Sequence, residues 1–310
     1  MPSIDRTQII TGPCLITFGG QTFWSKGNVG YKQIVERFAV GTSAFGEVDG
    51  RTKDKRIEVS FEPDGRFTSA LAAVLWPYAA TSIGASIFGA TDRELVIHGR
   101  DGVKLSVPNA AITQMPALRL GVAQTLQGSI KFTGILKNST APQTAGAYYA
   151  ITSAAYPGDT GWARSDIKTL AYASAWGASP WDAFLTQDGW EIDFGLDLAP
   201  QMVDGLGTAD MTLQELKVTA KAIPVGPTLA QLHTAMHENT AFGSSMSTAT
   251  PLVVSATGVY FSLANAGLID MNAAWGSEAK RLGACQWQAN RTVTLGVPDP
   301  LYYIGTSAPV

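Results

Sequence analysis

The sequence predicts a mainly β protein built as two tandem β domains, and three observations carry that prediction. The chain echoes itself: residues 102–115 read GVKLSVPNAAITQM and residues 258–271 read GVYFSLANAGLIDM, identical at six of fourteen positions. The matches are Gly102/Gly258, Val103/Val259, Ser106/Ser262, Asn109/Asn265, Ala110/Ala266 and Met115/Met271, where unrelated segments would share about one. A chain of 310 residues exceeds one average domain and suits two of about 150. With 45% apolar residues, 15% charged and 32 glycines, it suits a β-rich protein with a substantial core rather than disorder.

The echo extends upstream. Val48-Asp49-Gly50 matches Val203-Asp204-Gly205, and a strand follows each, residues 56–61 against 215–220. Next come Pro63-x-Gly65 and Pro224-x-Gly226, then a short apolar helix in each half. The polar, small-residue segment NSTAPQTAGA at 138–147 reads as a linker. The expected domains are therefore 1–138 and 139–310, the second carrying an insert at about 147–189 that is rich in Tyr and Trp.

Residues 12–25 predict a hairpin turning at Gly19-Gly20. A strand over roughly 29–42 follows, then a polar connection over 43–55. Seven of the ten residues at 47–56 (EVDGRTKDKR) are charged. Two readings stand side by side: a solvated hairpin tip, or a projecting loop that contacts a neighbouring subunit. Phe67, Leu71, Val74 and Leu75 share one helical face, and Pro77 stops that helix. Leu229, Leu232 and Met236 mark the same face in the second half, so both helices are expected to cover a sheet. The alternating strands of ELVIHGRDGVKLSVP and PLVVSATGVYFSLAN turn at Asp101-Gly102 and Thr257-Gly258. Two strands are expected near 148–154 and 167–175. In WEIDFGLDL, Trp190, Ile192, Phe194, Leu196 and Leu198 alternate with Glu191, Asp193, Gly195 and Asp197. One face therefore enters the core, and the other carries three carboxylates in a row.

Net charge is −3 but unevenly spread: residues 1–138 carry +4 and residues 139–310 carry −7. Opposite halves suit either unrelated surfaces or complementary faces of a self-assembling ring, since complementary potentials fix register. The balance excludes the basic stripe of a sequence-reading nucleic-acid binder. Cys14 and Cys285 are the only cysteines, one per half, and form no zinc pattern. No secretory signal is expected from MPSIDRTQII. The uncharged stretch Phe67–Ala90 is broken by Pro77 and Gly84 and reads as a packed helix plus a buried loop, not a membrane span.

Chemistry finds little footing. Aligned carboxylates on a regular strand lack the loop curvature of a calcium site, and a glycosidase pair needs a cleft. His233 and His237 have zinc-helix spacing, but Thr234 stands where HExxH needs Glu. No GxSxG, Walker or dinucleotide fingerprint occurs, and Gly84-x-x-x-x-Gly89 lacks the Lys-Ser/Thr that phosphate binding requires. No enzyme activity, metal or cofactor is expected.

The segments ITFGGQTFWSKGNV, FGEVDGRTKDKRIEVSFEPDG, LAAVLWPY…IGASIFGATDRELVIHGRDG and VDGLGT…LKVTAKAIPVGPT resemble major tail tube proteins of long-tailed (siphovirus-type) bacteriophages. The similarity covers most of the chain outside 147–189 and lies in the order of strands and turns. It implies two tail-tube-like β-sandwich domains, each with one flanking α-helix. It also implies stacked rings of six tube domains, made here by homotrimers, that form a conduit for DNA ejection. The implied partners are further copies of the chain, the tape measure protein, and the tail terminator and tail tip proteins; DNA passes without specific binding, and no membrane is involved. The implied location is the virion tail, assembled in the host cytoplasm.

An acidic lumen would let a polyanion pass without retention, which nominates Glu191, Asp193 and Asp197. The family's long inter-strand loop maps onto 44–56, which nominates Asp49, Arg51, Lys53, Asp54, Lys55 and Arg56 for ring stacking. A distal tail or baseplate ring protein of the same fold is the alternative. A carbohydrate-binding β-sandwich module is a weaker one.

Overall fold

The computed structural model describes residues 14–88, 93–121, 127–136, 148–160, 172–177, 181–226, 230–231, 233–235, 250–256, 258–273, 282–294 and 297–308. The first half contributes β1 (Leu15–Phe18), β2 (Gln21–Ser25), β3 (Gly30–Thr42), β4 (Gly46–Phe61), β5 (Pro63–Asp64), α1 (Ser69–Leu75), β6 (Leu95–His98), β7 (Val103–Val107), β8 (Ala110–Gln114), β9 (Leu118–Leu120) and β10 (Ile130–Gly134). There follow β11 (Ala150–Ser153), β12 (Tyr172–Trp176), β13 (Leu185–Val203), β14 (Gly207–Val225), β15 (Leu252–Ala256), β16 (Val259–Leu263) and β17 (Ala266–Ala273). The chain ends with β18 (Leu282–Ala289), β19 (Val293–Thr294), β20 (Val297–Pro298) and β21 (Tyr303–Gly305).

The protein is mainly β and consists of several antiparallel sheets, whose strand orders repeat. One sheet of the first half runs β3-β4-β10-β8, and one sheet of the second runs β17-β18-β14-β13-β9. Long hairpin, central strand and edge strand therefore recur in the same order. The other pair repeats likewise: β11-β7-β6-β1 continues into β2-β5, and its equivalent is β21-β16-β15-β12.

The echoed segments hold equivalent places. Each forms a hairpin return strand, a turn at Asn109 or Asn265, and the following edge strand. The Asn109 carbonyl accepts from the Ile135 N–H at 3.1 Å, and the Asn265 carbonyl accepts from the Asn290 N–H at 2.9 Å. Gly102 and Gly258 adopt φ of 82° and 81°, a left-handed conformation that explains their identity at both turns.

The upstream alignment needs correction. Val203-Asp204-Gly205 forms the tip of the β13–β14 hairpin, whereas Val48, Asp49 and Gly50 lie within β4, with Asp49 paired to Val40. The equivalent tip residue is Gly46, which stands at the same separation from Gly207 as Pro63 from Pro224. The strand match also slips by two residues. Ile57 pairs with Gly134 beside Ala110, and Val218 holds that place next to Gln288 and Ala289. A two-residue slip preserves facing, because side chains alternate with period two, so the pattern alone could not detect it.

The expected polar connection at 43–55 is mostly strand, since β4 begins at Gly46. β3 supplies a pairing partner along its whole length, which overrides the poor strand propensity of a charged run. The stretch after α1 differs from expectation too: Ser82, Ile83, Gly84 and Ser86 are exposed. Its backbone is nonetheless tied to β14, with Gly84 N–H to Leu213 O at 2.7 Å and Ile87 N–H to Met211 O at 3.0 Å.

Gly19 and Gly20 turn the first hairpin with φ of 55° and 76°, the paired positive values of a two-residue turn. α1 starts at Thr68, whose hydroxyl accepts from the Leu71 N–H, and Leu71, Ala72 and Leu75 are its buried face. In the second half, Ala230, Gln231, His233, Thr234 and Ala235 are helical. Leu229, Leu232, Met236 and His237, like the linker 138–147, lie outside the described residues.

The halves share one core. In the first, Phe18 of β1 meets Phe132 of β10 edge-on at 4.8 Å. In the second, Trp176 of β12 meets Trp287 of β18 at 5.9 Å, and Trp190 stands 5.1 Å from Trp287. Between them, Trp76 packs on Phe194 at 6.1 Å, and Tyr302 donates its hydroxyl to the Trp76 carbonyl. The chain crosses between the sheets in both directions: β9 pairs with β13 and β11 pairs with β7.

Candidate assembly surface

Beyond the sheet, β3 and β4 continue as a two-stranded ribbon to an exposed tip at 42–46. Five of the six residues nominated for stacking lie at the surface or partly exposed along β4. The Asp49 carboxylate and the Arg51 guanidinium stand 3.9 Å apart, both well exposed, a pair that contributes little to stability. Lys53 occupies a bulge: Glu36 pairs with Asp54 and Arg37 with Thr52, leaving Lys53 without an opposite residue. Lys55 is opposite Val35.

Asp54 is set apart from this group. Only 2% of it is exposed, and its carboxylate is held from three directions. The Thr208 backbone N–H donates to Oδ1 at 2.7 Å and the Thr208 hydroxyl to Oδ2 at 2.8 Å. Arg56 donates Nη1 to Asp54 Oδ2 at 2.8 Å and Nη2 to Glu36 Oε1 at 2.8 Å. A buried carboxylate so paired avoids the desolvation penalty of an isolated charge. Asp54 and Arg56 thus bind the second half's hairpin tip to the first half, and neither is free to reach a neighbour. Gly207 makes the approach possible: its φ is 74°, and a Cβ there would lie 2.5 Å from Asp54 Oδ1.

The carboxylates nominated for the lumen lie on β13 as the alternation predicts. Glu191 and Asp197 are exposed, Asp193 is half-buried, and Trp190, Ile192 and Phe194 are buried behind them. Cations interleave the row. Arg119 of β9 lies 3.6 Å from Glu191, Lys221 of β14 lies 3.3 Å from Asp193, and Lys217 stands opposite Gly195. Asp197 faces Glu215. In the first half, Lys32 holds the place of Asp193, because Lys32 precedes Gln33 opposite Ile57 as Asp193 precedes Phe194 opposite Val218. This one equivalent position thus carries opposite charge in the two halves.

Thr208, Gly207 and Arg119 were not legible as site residues. Thr208 lies 154 positions from its partner, and a lone Thr in a strand carries no local signal.

Both cysteines are free and buried, and burial pushes both thiols up, Cys285 to about 12. His98 is held below its ordinary value, first by burial and then by Lys104. Among the described residues no cluster of His, Cys, Asp and Glu could hold a metal ion, and no helix is long and apolar enough to cross a membrane. No family model and no curated protein matches the chain.

Proposed function

We propose that the chain is a structural virion subunit, a tail tube protein whose two halves are β-sandwiches that occupy successive positions in a ring. Three chains supply six such units, and stacked rings form the conduit for DNA ejection. The observation that carries this reading is the repeated strand order, with one long hairpin projecting from each half. A repeat that conserves scaffold and turns yet reverses charge at Lys32 and Asp193 suits two specialised positions in one assembly. The ribbon bearing Asp49, Arg51, Lys53 and Lys55 is the stacking element. The face of β13 and β14, with its interleaved charges, is the lumen wall, and its lack of a cationic stripe avoids phosphate retention.

Negative-stain microscopy of the purified protein tests the reading. Long hollow tubes with three chains per ring are expected. Single rings that never stack would favour a distal tail or baseplate role, and a persistent monomer would overturn the proposal.

A further inference from the structure

The two hairpin sheets differ at one edge. In the second half β9 closes the outer edge of β13, with Leu118 opposite Ile192 and Leu120 opposite Trp190, all buried. Gly189 permits this approach, since a Cβ there would lie 2.3 Å from the Leu120 carbonyl oxygen. In the first half β3 holds the place of β13: Tyr31 pairs with Val59 as Ile192 pairs with Ala220. Among the described residues no strand lies beyond β3. Tyr31 is 50% exposed where Ile192 is fully buried.

A cavity of about 90 Å³ opens at this edge, lined by Val29, Tyr31, Ile97, Leu105 and Ile151 among others. Ile151 is 49% exposed. Asp101 also lines it, and its buried Oδ2 has no hydrogen-bond partner among the described residues. The first half therefore presents an open strand edge, an apolar socket and an unmet acceptor where the second half is closed by β9.

We infer that a second copy of this chain occupies the β3 edge, its C-terminal half meeting β3 as the first half meets β13 within one chain. This rests on reading the chain as an assembly subunit. Unpaired strand edges are pairing templates, and the first half's net charge of +4 and the second half's of −7 are complementary in sign. The contact is head-to-tail, which closes into a ring or runs on as a filament according to its rotation.

A second joint in the chain points to the same arrangement. Glu36, Asp54 and Arg56 receive the tip of the second half's hairpin through Thr208. Their equivalents are Asp197, Glu215 and Lys217, since Asp197 pairs with Glu215 as Glu36 pairs with Asp54. That second triad is exposed. The matching tip, at Phe45, is 82% exposed. A copy docked on β3 in the chain's own geometry brings its triad to this tip, where Glu47 stands in the place of Thr208 and offers only its backbone N–H as donor, with Lys217 the cation for its carboxylate.

The test is a Tyr31→Asp, Ile151→Asp double variant, followed by light scattering and negative stain, with urea unfolding as the folding control. Both side chains are half exposed, so the unfolding midpoint should stay unchanged while the concentration needed for assembly rises about tenfold or more. A double variant that assembles like wild type overturns the edge assignment and leaves the tube reading intact. A wild-type protein that never assembles overturns both. Should the variant unfold, hydrogen exchange on wild-type protein decides: residues 29–34 should gain protection on assembly, and unchanged exchange there in formed particles overturns the inference.

Discussion

Thr208 donates both its backbone N–H and its hydroxyl to the carboxylate of Asp54, joining positions 154 residues apart. Hydrogen bonds to a buried charge contribute about 1.5–3 kcal/mol. Thr208→Val removes one of the two and should lower unfolding free energy by about that amount in urea titration. Asp54→Ala should cost more, because it leaves Arg56 held by Glu36 alone.

Gly207 and Gly46 occupy equivalent tips with φ of 74° and 68°. Ala at either position meets backbone strain of about 1–3 kcal/mol. Only at Gly207 does a Cβ also collide with Asp54; at Gly46 nothing lies within 4 Å. Paired Gly→Ala variants should therefore differ, with Gly207→Ala clearly the less stable by denaturant midpoint. Equal losses would show that the Asp54 joint does not restrain the tip.

Cys285 has its pKa raised from 9.0 to about 12, chiefly by burial, with Asp270 adding to it. A raised folded value favours the protonated, folded state. Its stabilising contribution is full below about pH 9 and is lost as pH rises from about 9 to about 12. Cys285→Ala should flatten that part of the pH–stability curve. In the native protein at pH 8, neither cysteine should react with Ellman's reagent; both should react after unfolding.

The indole N–H of Trp190 donates to the Ser174 hydroxyl at 2.8 Å, whereas the buried N–H of Trp287 has no partner among the described residues. Trp190→Phe strands a buried hydroxyl and should cost about 1–3 kcal/mol through that loss. Trp287→Phe loses no hydrogen bond and should cost less, while Trp287→Ala opens a cavity worth about 3–5 kcal/mol. Thermal unfolding followed by tryptophan emission measures all three.

If the chain stacks as proposed, charge reversal at Arg51 and Lys53 should block tube elongation while leaving the unfolding midpoint unchanged. Arg56 is unsuited to that test, since its guanidinium bridges Glu36 and Asp54. Normal tubes from the Arg51→Glu, Lys53→Glu variant, seen by negative stain, would remove the ribbon from the stacking surface.

Much of the β framework was readable because its signals are local. Gly19-Gly20, Asp101-Gly102 and the alternation of WEIDFGLDL each place a turn or a face within a few residues. The repeat was readable where turns fixed it, at Asn109 and Asn265, and misread where it relied on Val48-Asp49-Gly50. Sequence identity there reflected two unrelated uses of the same three residues, a strand interior and a hairpin tip. The burial of Asp54 was not readable, because its partner comes from the other half. The cations beside Glu191 and Asp193 were missed for the same reason: Arg119 and Lys221 arrive on neighbouring strands.

The strand exchange between the halves has a bearing on how such a chain is made. β11 completes the sheet of β7, and β9 is needed by β13. A fragment ending at residue 138 would lack the first and leave the second without its partner, so neither half is complete when severed. Synthesis must pass residue 153 before the first sheet is whole, and β9 must wait for β13 to emerge. One polypeptide also fixes the dose: every copy carries one Lys32 and one Asp193, so the two charges at this equivalent position are always made in equal number.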